Sequence, residues 1–187
     1  MLIKIEDLHP KNLINFYLPK PLVKPNSAEI FTSQKMKQPQ IVANILAIDG
    51  VEQCLLTDVL MGVRFTDSAV REDVQALVLA ELDDYLNDSG YQVLQTTQTP
   101  AGLELLEALA DSFIRPTLNR DKGDIKIISY VNNCLELQFT GHCAGCPYAQ
   151  NTLNNVIASC FNRYVPTLKE IKIKEGANYG VYIRMQV

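Results

Sequence analysis

The sequence predicts an α+β protein built from two small domains. At 187 residues, the chain is long enough for one sizeable core or for two small ones. Segments with the alternating apolar residues of strands and segments with helical spacing occur in both halves. A polar linker at residues 89–99 separates the halves, which share no sequence repeat. We therefore predict one domain at residues 1–88 and a second at residues 100–187.

The first domain has predicted strands and helices of its own. Apolar alternation or short apolar runs predict strands at residues 2–6, 12–18, 28–32, 51–56 and 59–65. Apolar residues at helical spacing predict one helix from Gln40 to the turn pair Asp49-Gly50 and another over residues 70–86. This half can therefore form a hydrophobic core of its own.

The second domain is predicted to run α-β-β-α-β. A cap and a first-turn proline at Thr99-Pro100 predict the start of its first helix, which Arg115-Pro116 ends or kinks. Strands are predicted at residues 125–131, 134–140, 168–173 and 180–187. Asn132-Asn133 forms a tight hairpin turn between the first two strands. The second helix is expected to begin at Pro147 and to end before Pro166.

The composition argues against several classes of protein. The net charge is −4 and the chain has no Lys/Arg cluster, so no nucleic-acid partner is expected. No apolar run approaches the ~18 residues of a membrane helix, so no membrane association is expected. The first residues lack the layout of a signal or transit peptide, which predicts a cytoplasmic protein. In that reducing compartment, the five cysteines are expected to bind metal, to act in redox chemistry or to pack in the core.

The most informative stretch is Gly141-His142-Cys143-Ala144-Gly145-Cys146-Pro147. Two cysteines three positions apart can direct their sulfur atoms into one small volume, and the small residues between them allow a tight loop. Proline at the first helical position loses no hydrogen bond, so Pro147 predicts that a helix follows at once. The free N–H groups and the dipole of that helix would stabilise thiolates and anionic groups bound to them.

The other three cysteines are expected to lie away from this pair. Cys160 follows Cys146 along one predicted helix by roughly 21 Å, at a rise of about 1.5 Å per residue. It also falls on the apolar stripe of that helix, which favours a buried core position. Cys54 lies in an apolar strand and Cys134 begins a strand, so both are predicted to be packing residues.

Two thiolates are too few for a closed metal site in one chain. Structural zinc and four-iron clusters take four ligands, and His142 is a poor third ligand because adjacent residues rarely converge on one ion. Four thiolates are available if two chains each supply Cys143 and Cys146, which would hold a [4Fe–4S] or a [2Fe–2S] cluster at a two-fold interface. The alternative is a thioredoxin-like thiol-disulfide oxidoreductase, which is disfavoured because only about forty residues follow Cys146. A pair that merely packs, or that binds zinc in an interaction module, remains a further alternative.

At these residues the sequence also resembles the NifU C-terminal domain of Nfu-type iron–sulfur cluster scaffolds. The resemblance covers roughly residues 102–174, and the agreeing features beyond the cysteine motif are Ile114-Arg115-Pro116, Asp121-x-Gly123-Asp124-Ile125, Thr152-Leu153, and Tyr164-Val165-Pro166 followed by Lys169-Glu170. The first half is similar to the N-terminal domain that accompanies it in many members, most clearly at Leu46-Ala47-Ile48-Asp49-Gly50-Val51.

The resemblance implies a carrier without turnover chemistry, not an enzyme. Such a carrier binds a [4Fe–4S] cluster, or alternatively a [2Fe–2S] cluster, between two subunits of a homodimer and passes it from upstream donors to apo-proteins. Carried onto this chain, the ligands are Cys143 and Cys146 alone. The first domain would serve partner recognition or dimer control. One departure is Lys122, where the family usually has glycine; it restricts the turn if positive φ is needed, and it adds a cation.

Overall fold

The structure, a computed structural model, describes residues 2–8, 11–35, 37–95, 102–142, 147–175 and 178–184. The chain divides into two compact units, Met1–Thr99 and Pro100–Val187. Each unit combines helices with a mainly antiparallel sheet, so the predicted α+β class is confirmed. Within the described ranges, no helix has the length and apolar character required to cross a membrane.

The first unit is a five-stranded antiparallel sheet with two helices. Its elements are β1 (Lys4–Asp7), β2 (Leu13–Tyr17), β3 (Ala28–Thr32), α1 (Gln40–Leu46), β4 (Val51–Thr57), β5 (Leu60–Phe65) and α2 (Arg71–Asn87). The strand order is β1-β2-β5-β4-β3. The strands and helices predicted for this half are confirmed, with ends displaced by about two residues at most.

Helix α2 buries a narrower stripe than its sequence predicts. Val74, Val78 and Leu82 are buried in the core that the sheet shares with α1. Val70 and Leu77 belong to the same apolar pattern, yet they are 56% and 51% exposed. Residues four apart lie on one face of a helix, whereas Leu77 is turned away from Val78 by about 100° and so points away from that face.

Part of the segment predicted as a linker packs on the first unit. The backbone N–H of Leu94 donates a hydrogen bond to the carbonyl oxygen of Leu22 at 2.7 Å, and Leu94 forms an isolated parallel bridge with Val23. The Tyr91 hydroxyl group donates to the carbonyl oxygen of Pro21. Residues 96–101, the remainder of this segment and the predicted start of the next helix, lie outside the described residues.

The second unit is a four-stranded sheet with helices, in the predicted order α-β-β-α-β followed by one further strand. Its elements are α3 (Leu103–Leu109), a π-helical turn (Ala110–Ile114), α4 (Arg115–Asn119), β6 (Gly123–Val131), β7 (Cys134–Gly141), α5 (Pro147–Tyr164), β8 (Glu170–Glu175) and β9 (Asn178–Arg184). The strand order is β6-β7-β8-β9, and only β7 and β8 pair in parallel. A parallel pair needs a long crossover, which α5 supplies.

The first helical segment of this unit does not end at Arg115-Pro116. A π-helical turn follows α3, in which the N–H of Arg115 donates to the carbonyl oxygen of Ala110, and helical structure then continues to Asn119. Proline lacks an N–H group and its ring clashes with the carbonyl group one turn earlier, so a regular α-helix cannot pass through it unchanged. The wider turn directly before Pro116 accommodates that conflict. The predicted end of the helix at Arg115-Pro116 is wrong, whereas a kink there stays a prediction.

The β6–β7 hairpin brings the end of β7 to the start of β6. Asn132 and Asn133 both have positive φ values, 51° and 63°, as a tight two-residue hairpin turn requires. The register then shifts by one residue between Ile127 and Ser129, where β6 contains a bulge at Ile128. As a result, Gly123 pairs with Gly141 at the far end of the hairpin.

Candidate functional site

The two predicted cluster ligands, Cys143 and Cys146, lie outside the described residues. The residues on both sides of them are described: β7 ends at Gly141, His142 follows it, and α5 begins at Pro147. The cysteine motif therefore connects a strand of the sheet to the longest helix of its unit. Its position at the start of that helix stays a prediction.

Gly141 is required at the entry to this loop for two reasons. Its φ value is +65°, in the left-handed region that side chains other than glycine rarely adopt. A Cβ atom at this position would also lie 2.5 Å from the carbonyl oxygen of Lys122 and 3.3 Å from the Cα atom of Gly123. The backbone of β7 thus approaches the start of β6 more closely than any side chain permits.

One hydrogen bond extends the β6–β7 ladder beyond this glycine. The backbone N–H of His142 donates to the carbonyl oxygen of Lys122 at 3.1 Å. The His142 side chain is exposed. The chain is consequently held by β6 up to the residue immediately before Cys143.

Lys122 adopts the left-handed conformation at the turn that precedes β6. Its φ value is +56°, and its backbone N–H donates to the carbonyl oxygen of Asn119 at 3.1 Å. A lysine here therefore occupies a conformation that costs a residue with a Cβ atom about 1–2 kcal/mol relative to glycine. The side chain itself is exposed.

Arg115 fixes the start of β6 from the helical side. Its side chain is buried, and its guanidinium group forms ion pairs with Asp111 at 2.9 Å and with Glu107 at 2.7 Å. The Nε and Nη2 atoms donate to the carbonyl oxygen of Ile125 at 3.3 and 3.1 Å, and Nε lies 3.2 Å from a carboxylate oxygen of Asp124. One arginine thereby connects α3, the π-helical turn and β6.

The charges around Arg115 keep it cationic inside the unit. Burial lowers the pKa of Arg115, but the carboxylates of Asp111 and Glu107 raise it by more, so its pKa lies above the ordinary value. This role is not predicted from the sequence, where Arg115 is considered only as part of the Arg115-Pro116 pair and of the family resemblance. The sequence does contain one signal for this ion pair, because Asp111 and Arg115 lie four positions apart in a predicted helix.

Cys54 and Cys160 are buried, as predicted. Cys54 is fully buried in β4, and burial raises the pKa of its thiol to about 12. Cys160 is 8% exposed on α5; burial raises the pKa of its thiol to about 12, although the nearby Arg163 lowers it. Both thiols stay protonated at neutral pH and behave as core residues rather than as ligands.

Cys134 is only half-buried at the first position of β7. Its Sγ atom lies 3.7 Å from a carboxylate oxygen of Glu170, and Lys172 pairs with the same carboxylate at 4.0 Å. Burial, and then the carboxylates of Glu170 and Glu136, raise the pKa of this thiol, although Lys172 lowers it. Such surroundings do not favour a thiolate, so packing remains the better interpretation.

In the part of the chain that the structure describes, no group of three or more His, Cys, Asp or Glu side chains is placed to hold a metal ion. His9, the other histidine, lies outside the described residues. The contacts around Gly141, Lys122 and Arg115 therefore define a scaffold for the cysteine loop rather than a second site.

A family comparison identifies the domain that carries this loop. Residues 107–172 match the NifU-like domain family, and the match includes the cysteine motif, the Lys122 turn and Arg115. The second unit therefore contains a NifU-like domain, and the resemblance to Nfu-type scaffolds is confirmed.

Individual relatives extend this result. A protein of Drosophila persimilis named NFU1 iron-sulfur cluster scaffold homolog, mitochondrial, is 27% identical over 138 residues, which is 68% of this chain and 49% of that protein. The protein of the same name from Drosophila grimshawi is 32% identical over 94 residues, covering 45% of this chain and 32% of that protein. The chain thus spans about half the length, or less, of these curated relatives. A share of 68% exceeds the second unit, so the first of these matches reaches into the first unit.

Among solved structures, the crystal structure of protein SAV1430 from Staphylococcus aureus is similar to 43% of this chain and 98% of that protein. The sequence identity is 22% and the TM-score is 0.39. At that score the likeness adds nothing to the assignment.

Proposed function

We propose that this protein is an iron–sulfur cluster scaffold and carrier that binds a [4Fe–4S] cluster through Cys143 and Cys146 of two copies of the chain. The cluster is its cargo: it is received from an upstream donor and passed to apo-proteins. The proposal assigns the protein no turnover chemistry of its own. A [2Fe–2S] cluster is the alternative cargo, because four thiolates suit either type.

The observation that carries the proposal is the match of residues 107–172 to the NifU-like domain, with the cysteine motif inside it. The names of the relatives, which are iron-sulfur cluster scaffold homologs, agree with it. The local structure adds physical support, because a hydrogen bond and a close backbone approach hold the chain on β6 up to His142. A ligand loop anchored in this way loses less conformational freedom when it binds its cargo.

The number of ligands supports a shared site. Within the described ranges, Cys54 and Cys160 are buried with raised pKa values, and nothing groups Cys134 with other ligands. One chain therefore offers Cys143 and Cys146 and no further cysteine suited to the same cluster. A second copy supplies the remaining two thiolates.

Anaerobic reconstitution with iron and sulfide tests the proposal. We expect a brown protein with about four irons per dimer, an increase in mass from monomer to dimer by light scattering, and transfer of the cluster to an apo-protein with an empty four-cysteine site. Cys143→Ser and Cys146→Ser should abolish iron uptake. Cys160→Ala is the matched control, since it removes a buried thiol and should leave uptake intact. A colourless protein that reduces insulin disulfides would contradict the proposal in favour of an oxidoreductase, although no finding supports that alternative.

We further propose that residues 1–88 form the Nfu-type N-terminal domain, that residues 89–99 connect it, and that residues 100–187 form the cluster-binding domain. The first domain would govern partner choice or dimer formation. The relatives are named as mitochondrial proteins, so the cytoplasmic location stays a prediction. Fractionation of the source cells with antibodies against this chain would test it.

A further inference from the structure

We propose that Lys122 places a positive charge at the entrance of the cysteine loop and thereby slows the release of the bound cluster, an inference that rests on the proposed function. The side chain belongs to the turn before β6, not to the cysteine motif. Its proposed effect on the cargo depends on proximity and charge, and the backbone position of Lys122 and its charge follow from described residues.

The backbone contacts bring Lys122 next to the cysteine loop. Its carbonyl oxygen accepts the hydrogen bond from the N–H of His142 at 3.1 Å, and a Cβ atom on Gly141 would meet the same oxygen at 2.5 Å. Opposed Cα atoms in an antiparallel ladder lie about 5 Å apart, and consecutive Cα atoms about 3.8 Å apart. The backbone of His142 therefore lies about 5 Å from that of Lys122, and a single Cα–Cα step along the chain separates His142 from the motif.

The charge of Lys122 is available at this place. The side chain is exposed, and among the residues that the structure describes its ammonium group makes no ion pair. Lys35 of the first unit, by contrast, forms an ion pair with the buried Glu29. Lys122 instead contributes a full positive charge beside a loop that is proposed to hold two thiolates.

A cation at this position favours the loaded form. A cluster held by four thiolates carries a net negative charge, so its attraction to the ammonium group is lost when the cluster leaves. For a cluster with a net charge of about −2 and an assumed separation of about 10 Å in water, this attraction at low salt slows release about threefold for each lysine, and roughly tenfold for the two lysines of a dimer. In 1 M salt, where the Debye length is about 3 Å, the effect should nearly vanish.

Three variants of the full chain test the inference. Lys122→Gln removes the charge and keeps the stem of the side chain, whereas Lys122→Arg keeps the charge. Lys126→Gln is the matched control, because Lys126 is also exposed on β6 but lies about 10 Å further from the loop. Each reconstituted protein is mixed with excess iron chelator, and the loss of cluster absorbance is followed at about 10 mM and at 1 M salt. Far-UV circular dichroism confirms that each variant is folded.

We expect Lys122→Gln to lose its cluster roughly tenfold faster than wild type at low salt and at nearly the same rate in 1 M salt. Lys122→Arg and Lys126→Gln should stay within about twofold of wild type. Equal rates for wild type and Lys122→Gln at low salt would overturn this inference and leave the proposed function standing. Faster release that persists in 1 M salt, or that Lys122→Arg shares, would overturn it as well. A wild-type protein that takes up no iron would contradict the proposed function, and this inference with it.

Discussion

Replacing Gly141 by alanine should destabilise the second unit, far more than the same replacement at Gly102. The glycine has a φ value of +65°, and an added Cβ atom would stand 2.5 Å from the carbonyl oxygen of Lys122. That oxygen belongs to the backbone and also accepts the hydrogen bond from His142. It can move away from the new atom only if the β6 turn shifts and this hydrogen bond lengthens.

The magnitude follows from these two conflicts. Holding a residue with a Cβ atom in the left-handed region costs about 1–2 kcal/mol. Weakening one hydrogen bond costs about 1 kcal/mol more. A total of about 2–3 kcal/mol should lower the melting temperature of a unit of this size by about 10–20 °C. Gly141→Asn should fall between the two proteins, because asparagine tolerates the left-handed region but still carries the Cβ atom.

Calorimetry of the full chain, combined with hydrogen exchange read by mass spectrometry, measures this effect and assigns it to a unit. Faster exchange is expected in β6 and β7 and not in the sheet of the first unit. Gly102→Ala is the control, since nothing lies within 4 Å of a Cβ atom there. If Gly141→Ala matches wild type within about 0.5 kcal/mol, then the approach of β7 to Lys122 is not the constraint that we infer.

Two further consequences follow from buried groups. Arg115→Met should lower the free energy of unfolding, measured with urea, by about 3–5 kcal/mol, because it removes the cation beside the buried Asp111. Arg115→Lys should recover only part of this stability, because lysine lacks the planar guanidinium group. A loss below about 1 kcal/mol in Arg115→Met would contradict this role. The thiols of Cys54 and Cys160 should resist alkylation at pH 8 in the folded protein and react in urea, as mass spectrometry would show, since burial raises both pKa values to about 12. Because the folded pKa values exceed the ordinary value of 9.0, the stability contributed by these protonated thiols is intact below pH 9 and falls as the pH rises toward 12.

The order of elements could be predicted because local signals agree with the fold. The hairpin turn at Asn132-Asn133 and the apolar stripe of α5 each specify one structure, and both are present. The π-helical turn could not be predicted, because Pro116 permits either a broken helix or a locally wider one. Packing of the whole unit decides between them, and the contacts of Arg115 with β6 are part of that packing.

The scaffold of the candidate site was only partly visible in the sequence. The cysteine motif and Gly141 could be selected from residue types and spacing. The contact between Lys122 and His142 could not, because it joins residues on different strands and depends on a register that includes a bulge. The sequence predicts that Lys122 belongs to a turn, but only the pairing of β6 with β7 shows that this turn contacts the chain at the entrance to the cysteine loop.

The bulge at Ile128 has a consequence for which side chains meet across the hairpin. A two-residue turn pairs odd-numbered residues of β6 with even-numbered residues of β7, as Val131 with Cys134. The buried apolar residues of both strands, however, carry odd numbers, so an uninterrupted hairpin would oppose the buried isoleucines with polar side chains. Because Ile128 is left unpaired, the register shifts by one residue, and Ile127 pairs with Leu137 and Ile125 with Phe139 on the buried face.

The same offset determines which residues of β6 and β7 meet at the entrance to the cysteine loop. Without the bulge, Gly123 would pair with His142 instead of Gly141, and Gly141 would no longer lie at the close approach to Lys122. Closing the bulge with Ile128 retained would therefore shift the first half of β6 by one residue against β7 and leave the Asn132-Asn133 turn unchanged, whereas deleting Ile128 would keep the present pairs. The bulge, rather than any single side chain, therefore keeps the end of β7 that enters the cysteine loop in register with the core.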